Sequence, residues 1–296
     1  MSTTEGTVEQ TVEETVEPTA ASTPAYVAPP RPRAGRRILG WVTIAGPPLI
    51  VFGLIVAAWY AVNASLAENK KFLLPTLDEV ISQGYLDSTI RSQILESLWQ
   101  TSKVVIVGLA IAAVIGIAWA VAMSMATWVQ RSTYPYAVIL QTIPILAIVP
   151  LIGVWFGYEF KARVVVCVMI ALFPMVSNTL FGLQSVDRPL HELFALQRAR
   201  RGTVLAKLMF PAALPAIFVG LRTSAGLAVV GAIVGDFFFQ RGTPGLGSLL
   251  MIYARQTLYA ELFAAIFVAA LLGVLVFALF GLLSKLAVGR WYEPVK

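Results

Sequence analysis

Side chains able to do covalent or acid–base chemistry are scarce in this sequence, and those present are not spaced to act together. The chain has one histidine, His191, and one cysteine, Cys167. A metal centre needs several His, Cys, Asp or Glu ligands at recurring spacings, and no such spacing occurs. No metal ligand, no cofactor of the chain's own and no catalytic residue is therefore assigned, and the chain is not expected to be an enzyme. Cys167 lies inside an apolar run, where a small packing residue is expected. The glycine-rich stretch Gly242-Thr243-Pro244-Gly245-Leu246-Gly247 is followed by no Lys-Ser or Lys-Thr, so it is not a phosphate-binding loop.

What remains is a small set of polar groups in apolar surroundings. Asp236 closes an apolar run and is its only acid; a carboxylate there faces a solute pathway or already sits at the outer headgroups. Gln141, Thr142, Ser177, Asn178 and Thr179 put uncharged hydrogen-bonding groups into two other runs. They line a pathway or bond between helices. Arg222 lies deeper and either pairs or snorkels to the inner surface.

The elements that must position these groups are set by composition. Hydrophobic residues make up 58% of the chain and charged ones 13%, against about 25% charged in soluble domains. Mean hydropathy is +0.78. A helix needs about 20 apolar residues to cross a bilayer, and six such runs occur: Gly40 to Val62, Val104 to Ala126, Tyr134 to Gly157, Val164 to Leu183, Ala212 to Phe237 and Leu262 to Ser284. None alternates as a barrel strand does. The expected fold class is an all-α integral membrane protein of six transmembrane helices, occupying residues 38–290. The net charge of +6 sits at helix ends and in loops, as topology signals do, so nucleic acid is not an expected partner. Gly108, Gly116, Gly226, Gly231 and Gly235 suggest close helix packing.

Residues 1–37 form an acidic, then basic tail that buries too little to fold alone, and residues 291–296 form a short C-terminal tail. With six spans and cytoplasmic termini, 13 basic residues fall on the inner side and eight on the outer, Arg222 apart. The protein is expected in the bacterial cell membrane with both termini cytoplasmic. Pro75-Thr76-Leu77-Asp78-Glu79 carries a capping-box pattern, and Ile90, Ile94 and Leu98 then form an apolar stripe on an outer-surface helix.

The longest cytoplasmic connection, residues 184–211, is polar, helix-prone and flanked by prolines. By itself it reads either as a basic topology loop or as a docking element. It contains Asp187-Arg188-Pro189-Leu190-His191-Glu192-Leu193-Phe194, then Arg198-Ala199-Arg200-Arg201-Gly202, and closes on Phe210-Pro211-Ala212-Ala213-Leu214-Pro215.

These landmarks resemble the cytoplasmic signature of type I ABC importer permeases, in the branch handling nitrate, sulfonates, taurine and thiamine-precursor pyrimidines. Glu192 matches the signature's Glu and Pro211 its Pro, whereas Leu193 and Phe194 replace its two alanines and Arg198 its glycine. Leu74-Pro75-Thr76, Gln141-Thr142-Ile143-Pro144 with Pro150, Trp155-Phe156-Gly157, Phe173-Pro174, Gly220-Leu221-Arg222 and Gly242 to Gly247 extend the resemblance over most of residues 73–293. It implies a coupling helix docked in a groove of a separate cytoplasmic ATPase, which uses ATP and Mg. Arg188, Glu192, Leu193, Phe194, Arg198, Arg200 and Arg201 would be the contacts. It also implies an external solute-binding protein and a second permease copy, since six helices are few for a complete pathway. The Glu-Leu-Phe variant is similar to that of pyrimidine and riboflavin-type relatives. A secondary transporter driven by an ion gradient is the alternative; it calls for charged or unwound midplane sites and an inverted repeat, neither of which is clear in the sequence.

Overall fold

The computed structural model describes residues 34–239 and 241–289, with side chains from residue 46 onward. The acidic tail, Arg31, Arg33 and the tail at 291–296 lie outside the described residues. All regular elements among the described residues are helical: α1 (Ala34–Ser65), α2 (Leu77–Glu79), α3 (Ser88–Met125), α4 (Thr127–Thr142), α5 (Ile145–Phe156), α6 (Phe160–Gln184), α7 (Arg188–Leu196), α8 (Arg201–Val204), α9 (Phe210–Phe238), α10 (Leu246–Arg255) and α11 (Tyr259–Val288).

α1, apolar around Pro47 and Pro48, belongs up to Ala58 to one compact unit, and the chain from Trp59 onward forms the other. In the second unit, Trp59 Nε1 donates to Pro75 O at 3.0 Å and Asn63 Nδ2 to Leu74 O at 2.6 Å, fixing the Leu74-Pro75 turn. The expected capping box forms between Thr76 and Glu79. The helix it starts is short, because a π turn over Val80–Leu86 intervenes before Asp87 caps α3. Asp87 accepts the amides of Thr89 at 2.7 Å and Ile90 at 3.2 Å. The hydrogen bonds from the Ile90 and Thr89 amides hold its carboxyl below the usual aspartate range. The surface helix expected ahead of the second span is thus the first part of one long helix.

The core is made of small residues. Val104, Leu109 and Ala112 of α3, Cys167 and Ala171 of α6, and Ala225, Ala228 and Ala232 of α9 form one buried cluster. A Cβ on Gly231 would come within 2.9 Å of the Cys167 Cα, and one on Gly116 within 2.8 Å of Met175 Cγ. Here glycine sets the helix separation, as small residues do wherever dispersion rather than water expulsion drives helix association. Gly226 departs from that expectation: nothing lies within 4 Å of where its Cβ would be.

Two boundaries expected from the sequence are corrected. The third run, Tyr134 to Gly157, is not one helix: α4 and α5 meet at a 100° bend. Pro144 lacks an amide donor and drives Ile143 out of the helical region, to φ −65° and ψ 125°. Gln130 near the start of α4 pairs with Gln184 at the end of α6 at 2.9 Å, while Tyr158, just after α5, meets the Phe239 ring at 6.1 Å at the other end. The bent pair therefore carries the chain from one end of α6 to the other. Five other helices are long and apolar enough to cross a bilayer. The second correction concerns residues 184–211: from Arg201 to Phe238 the chain is one continuous helical run long and apolar enough to cross a bilayer, through a π turn at Leu205–Met209 ahead of Pro211 and Pro215. The free connection shrinks to α7 and the turn after it.

Candidate functional site

α7 begins after Asp187 with Pro189 in its first turn, where a missing amide costs nothing. It ends in a Schellman motif: the Ala199 amide donates to Phe194 O at 3.0 Å and the Arg198 amide to Ala195 O at 2.9 Å. The residue between, Arg198, has φ 51°. This is the position where the resembling signature carries glycine, so the left-handed turn is kept with an arginine in it. Such a conformation costs an L-residue about 1–2 kcal/mol. Arg198→Gly is expected to stabilise the α7 C-terminus by about 1 kcal/mol, read as slower amide exchange at Gln197 and Ala199.

α7 leaves an apolar stripe uncovered. Leu190, Leu193 and Leu196 recur every third residue and are 45%, 49% and 83% exposed. Phe194 is half-buried, and Arg188, Glu192, Arg198, Arg200 and Arg201 are exposed. Arg201 reaches Met125 O at 3.5 Å and stays exposed. Leu190 and Leu196 were missed by sequence reasoning, although their three-residue spacing with Leu193 was the available signal.

At the opposite ends of α6 and α9, Asp236 is fully buried. Arg163 Nε lies 3.2 Å from its Oδ1, a charge contact rather than an aligned hydrogen bond. Thr101 Oγ1 of α3 donates to Oδ2 at 2.9 Å and in turn accepts the Leu246 amide at 2.8 Å. The Arg163 guanidinium also donates to Phe239 O at 2.6 Å, Thr243 O at 3.0 Å and Arg241 O at 3.1 Å. Ser248 Oγ donates to Asp236 O at 2.8 Å. A Cβ on Gly245 would collide with the Asp236 carboxylate, which is why the glycine-rich stretch can close over it. Asp236 was expected to face solute or headgroups; inside this chain its carboxylate is instead spent on α3, α6 and the loop before α10. Arg163 and Thr101 were not anticipated, though Arg163 near the start of α6 and Asp236 near the end of the antiparallel α9 share one depth. Beside them, Gln100, Lys103, Arg241 and Thr243 frame a cavity of about 300 Å³.

The uncharged candidates do not form one cluster of mutual bonds. Thr142 Oγ1 donates to Ile139 O at 2.9 Å, Ser177 Oγ to Pro174 O at 3.4 Å and Asn178 Nδ2 to the same carbonyl at 2.8 Å, each within its own helix. Gln141 and Thr142 are exposed at the α4–α5 bend, and Ser177 and Asn178 are half-buried.

Small residues pack α3, α6 and α9 together, and α7 is an exposed amphipathic helix between two of the long apolar helices. Residues 112–291 match the binding-protein-dependent transport system inner membrane component family, and the chain belongs to it. It is 33% identical over 231 residues to the formylaminopyrimidine transport permease protein ThiX of Halalkalibacterium halodurans, covering 78% of this chain and 90% of that protein. It is 35% identical over 164 residues to the riboflavin transport system permease protein RibX of Chloroflexus aurantiacus, covering 55% and 60%. With the putative aliphatic sulfonates transport permease protein SsuC of Bacillus subtilis it shares 26% over 264 residues, covering 86% and 90%. A crystal structure of an amino acid ABC transporter with histidines has the same fold, with TM-score 0.53 and 19% identity, covering 67% of this chain and 94% of that one. The protein is a multi-pass translocation subunit of an ABC importer. It is not an enzyme, and ATP hydrolysis lies in a separate subunit.

Proposed function

We propose that α7 is the coupling helix through which a cytoplasmic ATPase, using ATP and Mg, drives this permease to import a small polar organic solute. The observation that carries the reading is the uncovered Leu190, Leu193 and Leu196 stripe on a short polar helix. Exposed leucines flanked by arginines suit a groove on a soluble partner: the leucines supply burial, and Arg188, Arg198, Arg200 and Arg201 supply charge at the rim. Because α7 joins α6 to the continuous span beginning at Arg201, a push on it moves two spans together. Glu192, Leu193 and Phe194 are the central contacts.

The solute is a pyrimidine or flavin-type vitamin precursor, by the names of the two relatives of highest identity quoted above; sulfonate-like anions are the second class. An external solute-binding protein delivers it. A second copy of this chain completes the pathway, with Gln141, Thr142, Ser177 and Asn178 among its lining. Asp236 serves this pathway as a brace for the outer loop. Both termini are cytoplasmic, on the side of α7. With Cys167→Ala as background, cysteine at residue 20 or 197 is expected to resist a membrane-impermeant thiol reagent in intact cells, while cysteine at residue 242 labels. Labelling at 197 with protection at 242 would put α7 out of reach of any cytoplasmic ATPase.

A further inference from the structure

Arg222 is the one charged side chain on the exposed face of α9 between Phe210 and Phe238. Its guanidinium carbon lies 3.8 Å from the centroid of the Phe277 ring on α11. Gly281, one turn further along α11, lies beside it: a Cβ there would sit 3.5 Å from the guanidinium, in ordinary van der Waals contact. Stacking on a ring face leaves all five N–H donors free, since they point outward in the guanidinium plane. Among the described residues no carboxylate pairs with Arg222 and no acceptor takes its hydrogen bonds.

Phe277 and Gly281 lie 11 and seven residues before Val288, the end of α11, hence roughly 16 and 10 Å short of it at about 1.5 Å per residue. The stack holds the charge at membrane depth instead of letting it snorkel out. A free guanidinium at that depth is costly against lipid and is sustained by a water-filled cavity or a partner. The rest of this side of α9 is likewise left uncovered by its own chain. Val219, Thr223, Gly226 and Val230 fall at helical spacing along the same stripe; Val219 is 54% and Val230 50% exposed, and Gly226 opens onto empty space.

We infer that Arg222 is a specificity-determining residue of the solute pathway, held by Phe277 and offering its free N–H donors to oxygen acceptors of the passing solute. The inference rests on the chain's role as a translocation subunit and adds the residue that sets the pathway's electrostatic preference. Its positive charge favours solutes or solute edges that carry negative or carbonyl oxygen, and repels cations.

The test needs no knowledge of the solute. In the complete complex with its ATPase, in membrane vesicles and on a Cys167→Ala background, Thr223→Cys places a thiol on the same stripe beside an intact Arg222. Negatively charged sulfonatoethyl and positively charged trimethylammonioethyl methanethiosulfonate are the probes. Both are expected to react, the anion faster; Arg222→Gln lowers the anion-to-cation rate ratio by about tenfold, and Arg222→Lys restores it. Gly226→Cys, one turn on, repeats the measurement should Thr223→Cys assemble poorly. Absence of reaction with both probes means a lipid-facing stripe and overturns the inference. So does a disulfide between two copies at residue 223 without labelling, or a rate ratio indifferent to Arg222→Gln. A complex that fails in any of these ways while keeping its ATPase and its transport loses the Arg222 assignment alone.

Discussion

Asp236→Leu and Arg163→Met are each expected to cost the permease most of its folded yield, while the double variant recovers a large part of it. Each single change strands one unpaired charge or its partner's acceptors in a site with almost no solvent, which typically costs about 3–5 kcal/mol. Replacing both removes the stranded charge. Recovery stays incomplete, because the carbonyls of Phe239, Arg241 and Thr243 lose the donors that Arg163 supplies. Fluorescence-detected size exclusion and thermal unfolding of the solubilised complex read the effect, and in the double-mutant cycle the coupling should exceed the cost of either single change, about 3–5 kcal/mol. Strict additivity would mean that Arg163 and Asp236 stabilise the loop before α10 independently. Asp236→Asn separates the roles further: it keeps the shape and loses the charge, so a brace destabilises, whereas a solute contact slows uptake in a normally folded protein.

The second large effect is expected at α7. Leu193→Ala and Leu196→Ala together should release the ATPase during purification and leave the spans intact, because neither leucine is covered by its own chain. Truncating anchors buried at an interface typically costs at least about 2 kcal/mol, a thirtyfold loss of affinity. Phe194→Ala should do the same with a smaller margin of interpretation, since Phe194 is half-buried against its own chain and its loss also loosens α7. Copurified ATPase per permease, together with uptake in cells, measures both.

The spans were legible because hydropathy over twenty residues is a local property that a bilayer imposes on any sequence. The capping box at Thr76 and the helical character of α7 were legible for the same reason: their partners lie within one turn. What escaped the sequence depends on a second chain segment or on backbone geometry. Pro144 announced a break, but not its 100° angle. Asp236 stood out as an acid in an apolar run, but whether it met solute or an arginine was decided by α6 and α9 being antiparallel and in register at the ends away from α7. Arg198 looked like a lost glycine; the Schellman hydrogen bonds hold its backbone at φ 51° all the same. Gly231 and Gly226 look alike in the sequence, yet one is pressed against Cys167 and the other faces open space.

The most direct test of the account is a crosslink from α7. Cysteine at residue 193, on a Cys167→Ala background, should join a short bifunctional thiol reagent to the ATPase in the assembled complex, with the yield changing when ATP binds. Cysteine at residue 242, at the far end of the bundle, should give no such product. A contradiction would be a purified permease that concentrates its solute in liposomes on an ion gradient alone, with no ATPase present and no crosslink from residue 193.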